Sequence, residues 1–281
     1  MASLFQTLPD AVVPDAVIKR IGDIAVHVCG AGPTLLFLHG IGGNARNWIP
    51  NLEYFGQGYT AAAWDARGYG ASSGVVERFE QFADDAAAVI AALGTPAHVV
   101  GLSMGGRIAL DLVHRYSDCV NSLTLANTSA GSRETAAPEK VAAFLATRLK
   151  PLVEDGMSPA DIAETIVKGI EGPNISPMAR AALIDSHRRL RTEGYVAAMR
   201  AVTGFSGFPD FADIAVPTLV LTASEDSTAR ARVAIGSSIS CPSKAIAPTL
   251  RAVASAQAAR TRRARSTCRA SGVKASWASA T

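Results

Sequence analysis

Residues 97–108 read AHVVGLSMGGRI. Ala97 to Val100 reads as a buried strand. Helical spacing resumes over Ile108 to Tyr116, so Gly101-Leu102-Ser103-Met104-Gly105 stands between a predicted strand and a predicted helix. Elsewhere a G-x-S-x-G is a glycine-rich turn with an incidental serine. At this junction it is a bend that projects the serine oxygen from the carboxyl end of a strand, and small residues at 101, 105 and 106 let the bend close. The following helix aims its N-terminus at the charge that develops on an acyl oxygen. Ser103 is therefore the candidate nucleophile.

Working outward, strand and helix alternate. Val17 to Cys29 (VIKRIGDIAVHVC) predicts a hairpin turning at Gly22-Asp23. Thr34 to Leu38 (TLLFL), Thr60 to Trp64, Ser122 to Ala126 and Pro217 to Thr222 read as further strands. Phe79, Phe82, Ala83, Ala86, Val89, Ile90 and Leu93 follow helical spacing, and Gly94 closes that helix. The alternation predicts an α/β fold: a mostly parallel, doubly wound sheet with helices on both faces. Between about residues 131 and 204 the pattern is helical alone, with starts at Ser158-Pro159, Ser176-Pro177 and Thr192-Glu193. That segment reads as a helical cap. It divides the core into an N-terminal part (1–130) and an acid-bearing strand (205–226).

Composition sets bounds on these readings. With 48% hydrophobic and 18% charged residues the 281-residue chain is globular. It has no apolar run long enough for a membrane span and no secretory signal pattern at its start. Cys29, Cys119, Cys241 and Cys268 are irregularly spaced, which fits neither a metal site nor a disulfide framework. A cytoplasmic setting, no cofactor and no metal are expected.

Two further motifs frame Ser103. His39-Gly40-Ile41-Gly42-Gly43 follows the TLLFL strand, and such a loop brings a backbone N–H near the nucleophile. The oxyanion hole is accordingly assigned to the amides of Ile41 and Met104, with His39 bracing the loop. Asp226 ends PTLVLTASED, where it reads as the acid that orients an imidazole; the alternative is a solvated loop carboxylate. Asp65 and Arg67, in WDARGYGAS, are expected to fix a loop at the sheet edge.

HGIGG, WDARGYGASS, GLSMGG and PTLVLTASED, in this order and spacing, resemble the α/β-hydrolase superfamily from about Val17 to Asp226. Within it, GLSMGG, LTLANTSAG and EGYVAAMRAV look most like 3-oxoadipate enol-lactonases. Esterases and carbon–carbon bond hydrolases share much of that pattern. The resemblance implies cofactor-free hydrolysis of a small ester or lactone through an acyl-enzyme on Ser103, in aromatic catabolism. Neither nucleic acid nor membrane is expected as a partner. A serine at 103 speaks against the relatives that use an aspartate there.

The resemblance also implies a catalytic histidine after Asp226, and here the chain departs from it. All five histidines (His27, His39, His98, His114, His187) precede that aspartate. From Ser227 to Thr281 there are ten Lys and Arg, no Asp or Glu, and no His, Phe or Tyr. Setting these ten cations aside leaves the first 226 residues at −7 out of a total of +3. Three origins fit this tail: a shifted reading frame in a GC-rich gene, a genuine exchange of the C-terminal segment, or a basic Arg-rich extension that binds nucleic acid or an acidic surface. A ligand binder without turnover stays open as the non-enzymatic alternative.

Overall fold

The structure, a computed structural model, describes residues 16–129, 138–205 and 213–222. Asp226, the tail from Ser227 and the expected start of the cap at residue 131 lie outside them.

Among the described residues seven strands form one sheet in the order β1-β2-β4-β3-β5-β6-β7. β1 (Val17–Ile21) and β2 (Ile24–Cys29) make the hairpin, with Gly22 at a φ of +57°. β2 pairs antiparallel with β4 (Thr60–Asp65). From β4 onward, through β3 (Thr34–Leu38), β5 (Ala97–Leu102), β6 (Val120–Ala126) and β7 (Thr218–Leu221), every pairing is parallel.

The all-apolar β3 has a simple physical cause, because both of its faces are covered. Leu36 and Leu38 enter the large core with Ala62 and Trp64 of β4, under α2 (Glu80–Leu93) and α3 (Met104–Arg115). Leu35 and Phe37 face the other way, into a smaller cluster with Ala61, Ala63 and Leu52 of α1 (Ile49–Phe55). At about 1.5 to 3 kcal/mol per buried large side chain, these two clusters are the main stabilising term of the core.

Topology then places the site. From the central β3 the chain first adds β4 on one side and later β5 on the other. The carboxyl ends of β3 and β5 are therefore neighbours at the point where the winding reverses, which is where open α/β sheets hold ligands. His39 leaves β3 there, and Ser103 leaves β5.

Among the described residues four helices stand between β6 and β7: α4 (Pro138–Val153), α5 (Pro159–Lys168), α6 (Pro177–Arg188) and α7 (Thr192–Gly204). Ser158 and Ser176 cap α5 and α6 by accepting from the amides of Asp161 and Ala179. This helical layer has its own apolar cluster of Leu149, Leu152, Ile162, Ile166, Tyr195, Val196 and Met199. No helix among the described residues is long and apolar enough to cross a membrane.

Candidate active site

Ser103 has a φ of 52° and a ψ of −113°, a strained conformation for a residue with a side chain. Its neighbours hold it there. The Ser103 N–H donates to Ala126 O at the end of β6 (3.0 Å), and its carbonyl accepts from Thr128 Oγ1 (2.7 Å) and from the amides of Gly106 and Arg107. The glycines around it are required by close approach. A Cβ at Gly101 would lie 2.3 Å from Gly105 O, and one at Gly105 would lie 2.1 Å from Leu38 O. Helix α3 thus packs directly on the strand ends, and the Ser103 side chain is left exposed.

The loop after β3 meets this bend. A Cβ at Gly40 would come within 3.3 Å of Ser103 Cβ. Gly40 and Gly43 close a turn through Gly43 N–H to Gly40 O (3.0 Å), with Gly42 at a φ of +82°. The same carbonyl accepts from Nδ1 of His39 at 2.8 Å. Nε2 of His39 accepts from the Ala66 N–H at 3.0 Å, so the proton must sit on Nδ1 and the ring is neutral. Burial pushes the His39 pKa down and keeps it so, against smaller opposing effects of Gly40 and Asp65. Because a trans peptide points C=O and N–H in opposite directions, fixing the Gly40 carbonyl also fixes the Ile41 N–H. Among the described residues no group takes the amides of Ile41 or Met104. Met104 N–H is one of the orphan donors of α3's first turn.

Asp65, fully buried, accepts from Ala45 N–H and Ala71 N–H at 2.8 Å each and so ties two loops to the end of β4. Arg67 forms a two-point pair with Asp85 (2.9 and 2.6 Å) and reaches Asp23 (2.7 Å). Both residues hold loops at the sheet edge.

The helical layer docks on these same loops. Asn47 Nδ2 donates to Ser186 Oγ at 2.8 Å, and Arg191 to Ser72 O at 2.7 Å. Gly194 of α7 is so close to Gly68 that an added Cβ would lie 2.1 Å from its carbonyl oxygen. His187 seats its Nε2 against Gly42, while Nδ1 donates to Leu183 O at 2.9 Å. No local pattern in the sequence signals these contacts, because each joins residues far apart in the chain.

The described residues include all five histidines, and none of them bonds Ser103. His27 lies in β2 and His98 at the start of β5, where its ring is bonded to Ser122 and Asn121. His114 is exposed near the end of α3, and His39 and His187 are committed as described. Leu221, the last residue of the strand that leads toward Asp226, accepts from Asn127 N–H at 2.8 Å, one residue past the carbonyl that holds Ser103. Among the described residues no group of three metal-ligating side chains occurs.

The model of the alpha/beta hydrolase family matches residues 35–267, beyond Asp226 and into the basic tail. The chain is 28% identical over 214 residues to 3-oxoadipate enol-lactonase 2 of Acinetobacter baylyi, covering 73% of this chain and 77% of that protein. It is 31% identical over 205 residues to 2-(acetamidomethylene)succinate hydrolase of Mesorhizobium japonicum, covering 65% and 72%. Among solved structures, a hydrolase from Pseudomonas aeruginosa PA01 superposes with a TM-score of 0.66 at 23% identity, covering 79% of this chain and 85% of that one. The enol-lactonase from Burkholderia xenovorans LB400 gives 0.61 at 21%, covering 74% and 81%. These two structures share the fold.

Proposed function

The chain belongs to the alpha/beta hydrolase family, and on that footing we propose that it is built as a serine hydrolase of small esters or lactones. One observation carries the reading: an exposed serine at a φ of 52°, beside the Ile41 amide and directly before that of Met104, neither of which is claimed by another group among the described residues. Ser103 Oγ attacks the ester carbonyl, and the two amides hold the resulting oxyanion. Removing one such donor costs about 2.7 to 4 kcal/mol of transition-state stabilisation. Collapse breaks the acyl C–O bond, so the alcohol of an ester departs while that of a lactone stays tethered to the acyl chain, and water then opens the acyl-enzyme to the acid. No cofactor enters. The names of the relatives support a substrate that is itself an acid, since both are derivatives of dicarboxylic acids.

The step that takes the proton from Ser103 needs a base, which the resemblance assigns to an imidazole held by Asp226. None of the five histidines fills that place, and a triad enzyme without its histidine loses about a million-fold in turnover. We infer that the sequence from Ser227 is read in a shifted frame and that this chain is an impaired form of the hydrolase. The missing imidazole equally favours a second reading, a binder that holds the ligand without turning it over.

The experiment compares this chain with a version whose reading frame is restored after codon 227, against p-nitrophenyl acetate and a small enol-lactone. Hydrolysis by the restored protein, lost on Ser103→Ala, is expected. Activity that survives Ser103→Ala overturns the nucleophile. Tight binding of the lactone with no hydrolysis in either protein favours the binder.

A further inference from the structure

Three successive residues at the end of α6 meet the loop that follows β3. Asp185 pairs with Arg46 at 3.7 Å, Ser186 Oγ accepts from Asn47 Nδ2 at 2.8 Å, and His187 seats against Gly42. Ser186 and His187 are buried. Asn47 is engaged at both ends of its amide. Its Oδ1 accepts from the Asn44 N–H at 2.8 Å, a group that can only donate, so Nδ2 is the end turned to Ser186. Asn47 also lies against the turn itself, since a Cβ on Gly43 would come within 2.8 Å of its Oδ1.

The turn needs such ties. Gly40, Gly42 and Gly43 are three of its four residues, and glycine leaves a backbone free to take many conformations. On the core side, His39 holds the Gly40 carbonyl and Asp65 holds the Ala45 N–H. On the other side stands the helical layer, where the Ile41 side chain packs against the apolar cluster of α4, α5 and α7. An oxyanion-hole donor works only where the charge will form, and a misplacement of about 1 Å costs about 100-fold in rate. Whatever fixes this loop therefore acts on the reaction.

We propose that Asn47 and Ser186 are positioning residues for the oxyanion hole: their hydrogen bond ties the placement of the Ile41 amide to the seating of α6. The inference rests on the hydrolase reading of Ser103 and deepens it, because the helical layer then takes part in the acyl step. Neither side chain touches the reacting atoms. Each acts through the loop.

Two reactions of a thiol at residue 103, in the full chain carrying Ser103→Cys, separate positioning from general damage. With p-nitrophenyl acetate the sulfur attacks the carbonyl, charge builds on its oxygen, and p-nitrophenolate leaves. With iodoacetamide the sulfur attacks the methylene carbon, iodide leaves, and the reaction makes no call on the oxyanion hole. Peptide mapping gives both rates at residue 103. Asn47→Leu and Ser186→Ala should each slow acetylation by about 10-fold and leave alkylation within about 2-fold. The double variant should be no slower than the slower single, because both remove one bond. Should Asn47→Leu fail to fold, Ser186→Ala, which deletes a single oxygen, carries the test. Unchanged acetylation in Ser186→Ala, a parallel fall in both reactions, or additive slowing in the double variant overturns the proposal. Acetylation at residue 103 that is no faster than at the native cysteines, before any change at 47 or 186, sinks the hydrolase reading and this proposal with it. Fast acetylation that Ser186→Ala leaves intact sinks the proposal alone.

Discussion

Nε2 of His187 lies against Gly42, where an added Cβ would meet it at 2.4 Å. This contact joins α6 to the turn that presents the Ile41 amide, so the helical layer and the oxyanion loop are one mechanical unit. Gly42→Ala meets two obstacles, a φ of +82° and the imidazole. Together they should cost about 2 to 4 kcal/mol of stability. In a His187→Ala background the clash is gone and only the backbone penalty remains, so the same substitution should cost at least about 1 kcal/mol less. Urea denaturation of the four proteins measures that coupling, and strict additivity would contradict the contact.

The strain at Ser103 predicts a trade between stability and reactivity. Ser103→Gly frees a φ of 52° and should raise stability by about 1 kcal/mol. Ser103→Ala keeps the Cβ and should not. Equal urea midpoints for these two variants would mean that the bend stores no strain.

At Gly194 the helical layer approaches the core backbone to backbone. Gly194→Ala would set a Cβ 2.1 Å from Gly68 O, whereas Gly58→Ala meets nothing within 4 Å. The first should cost on the order of 2 to 3 kcal/mol, as overpacking does, and should speed proteolysis between α4 and α7. The second should be close to neutral. Comparable midpoints for the two would show that α7 does not seat on Gly68.

Three imidazoles set the response to acid. His27, His39 and His187 are each held below their usual value of 6.5, with burial as the largest cause in every case. Below about pH 6.5 the unfolded chain therefore takes up protons that the folded chain refuses, and stability falls as pH falls. Each imidazole contributes a slope of up to about 1.4 kcal/mol per pH unit until its lowered folded pKa is reached, and nothing above about pH 7.5. Urea midpoints at about pH 7.5, 6.5 and 5.5 should decline in that order. A midpoint that rises toward acid would contradict the buried neutral rings.

The parts of the fold governed by local pattern were legible in the residues. TLLFL predicts β3 at its observed bounds because a strand covered on both faces must be apolar throughout. VIKRIGDIAVHVC predicts the hairpin because Gly22 supplies the positive φ of its turn. Helix α3 begins at Met104, four residues earlier than its apolar spacing suggests, because Gly105 and Gly106 look like turn residues and are chosen here for close packing. Helix α1 has no clear signal: only Leu52 is fully buried among its seven residues, so its periodicity is faint.

The candidate site divides in the same way. Ser103, Ile41 and Met104 sit in motifs that name their own geometry. The roles of His187 and the Gly68–Gly194 contact depend on how the cap helices fold back over the sheet, and no local pattern encodes that. Asp226 and the tail lie outside the described residues, so the acid keeps the standing that its motif gives it.

A direct measurement of the central claim avoids the missing imidazole by letting the nucleophile activate itself. Ser103→Cys puts a thiol at the N-terminus of α3, where the helix dipole and free amides favour the thiolate. Incubated with p-nitrophenyl acetate and read by intact mass and peptide mapping, this variant should gain one acetyl group at residue 103. The reaction there should run about 100 to 1000-fold faster than at Cys29, Cys119, Cys241 or Cys268, the factor expected of an oxyanion hole. Acetylation at residue 103 no faster than at those native cysteines would contradict the account.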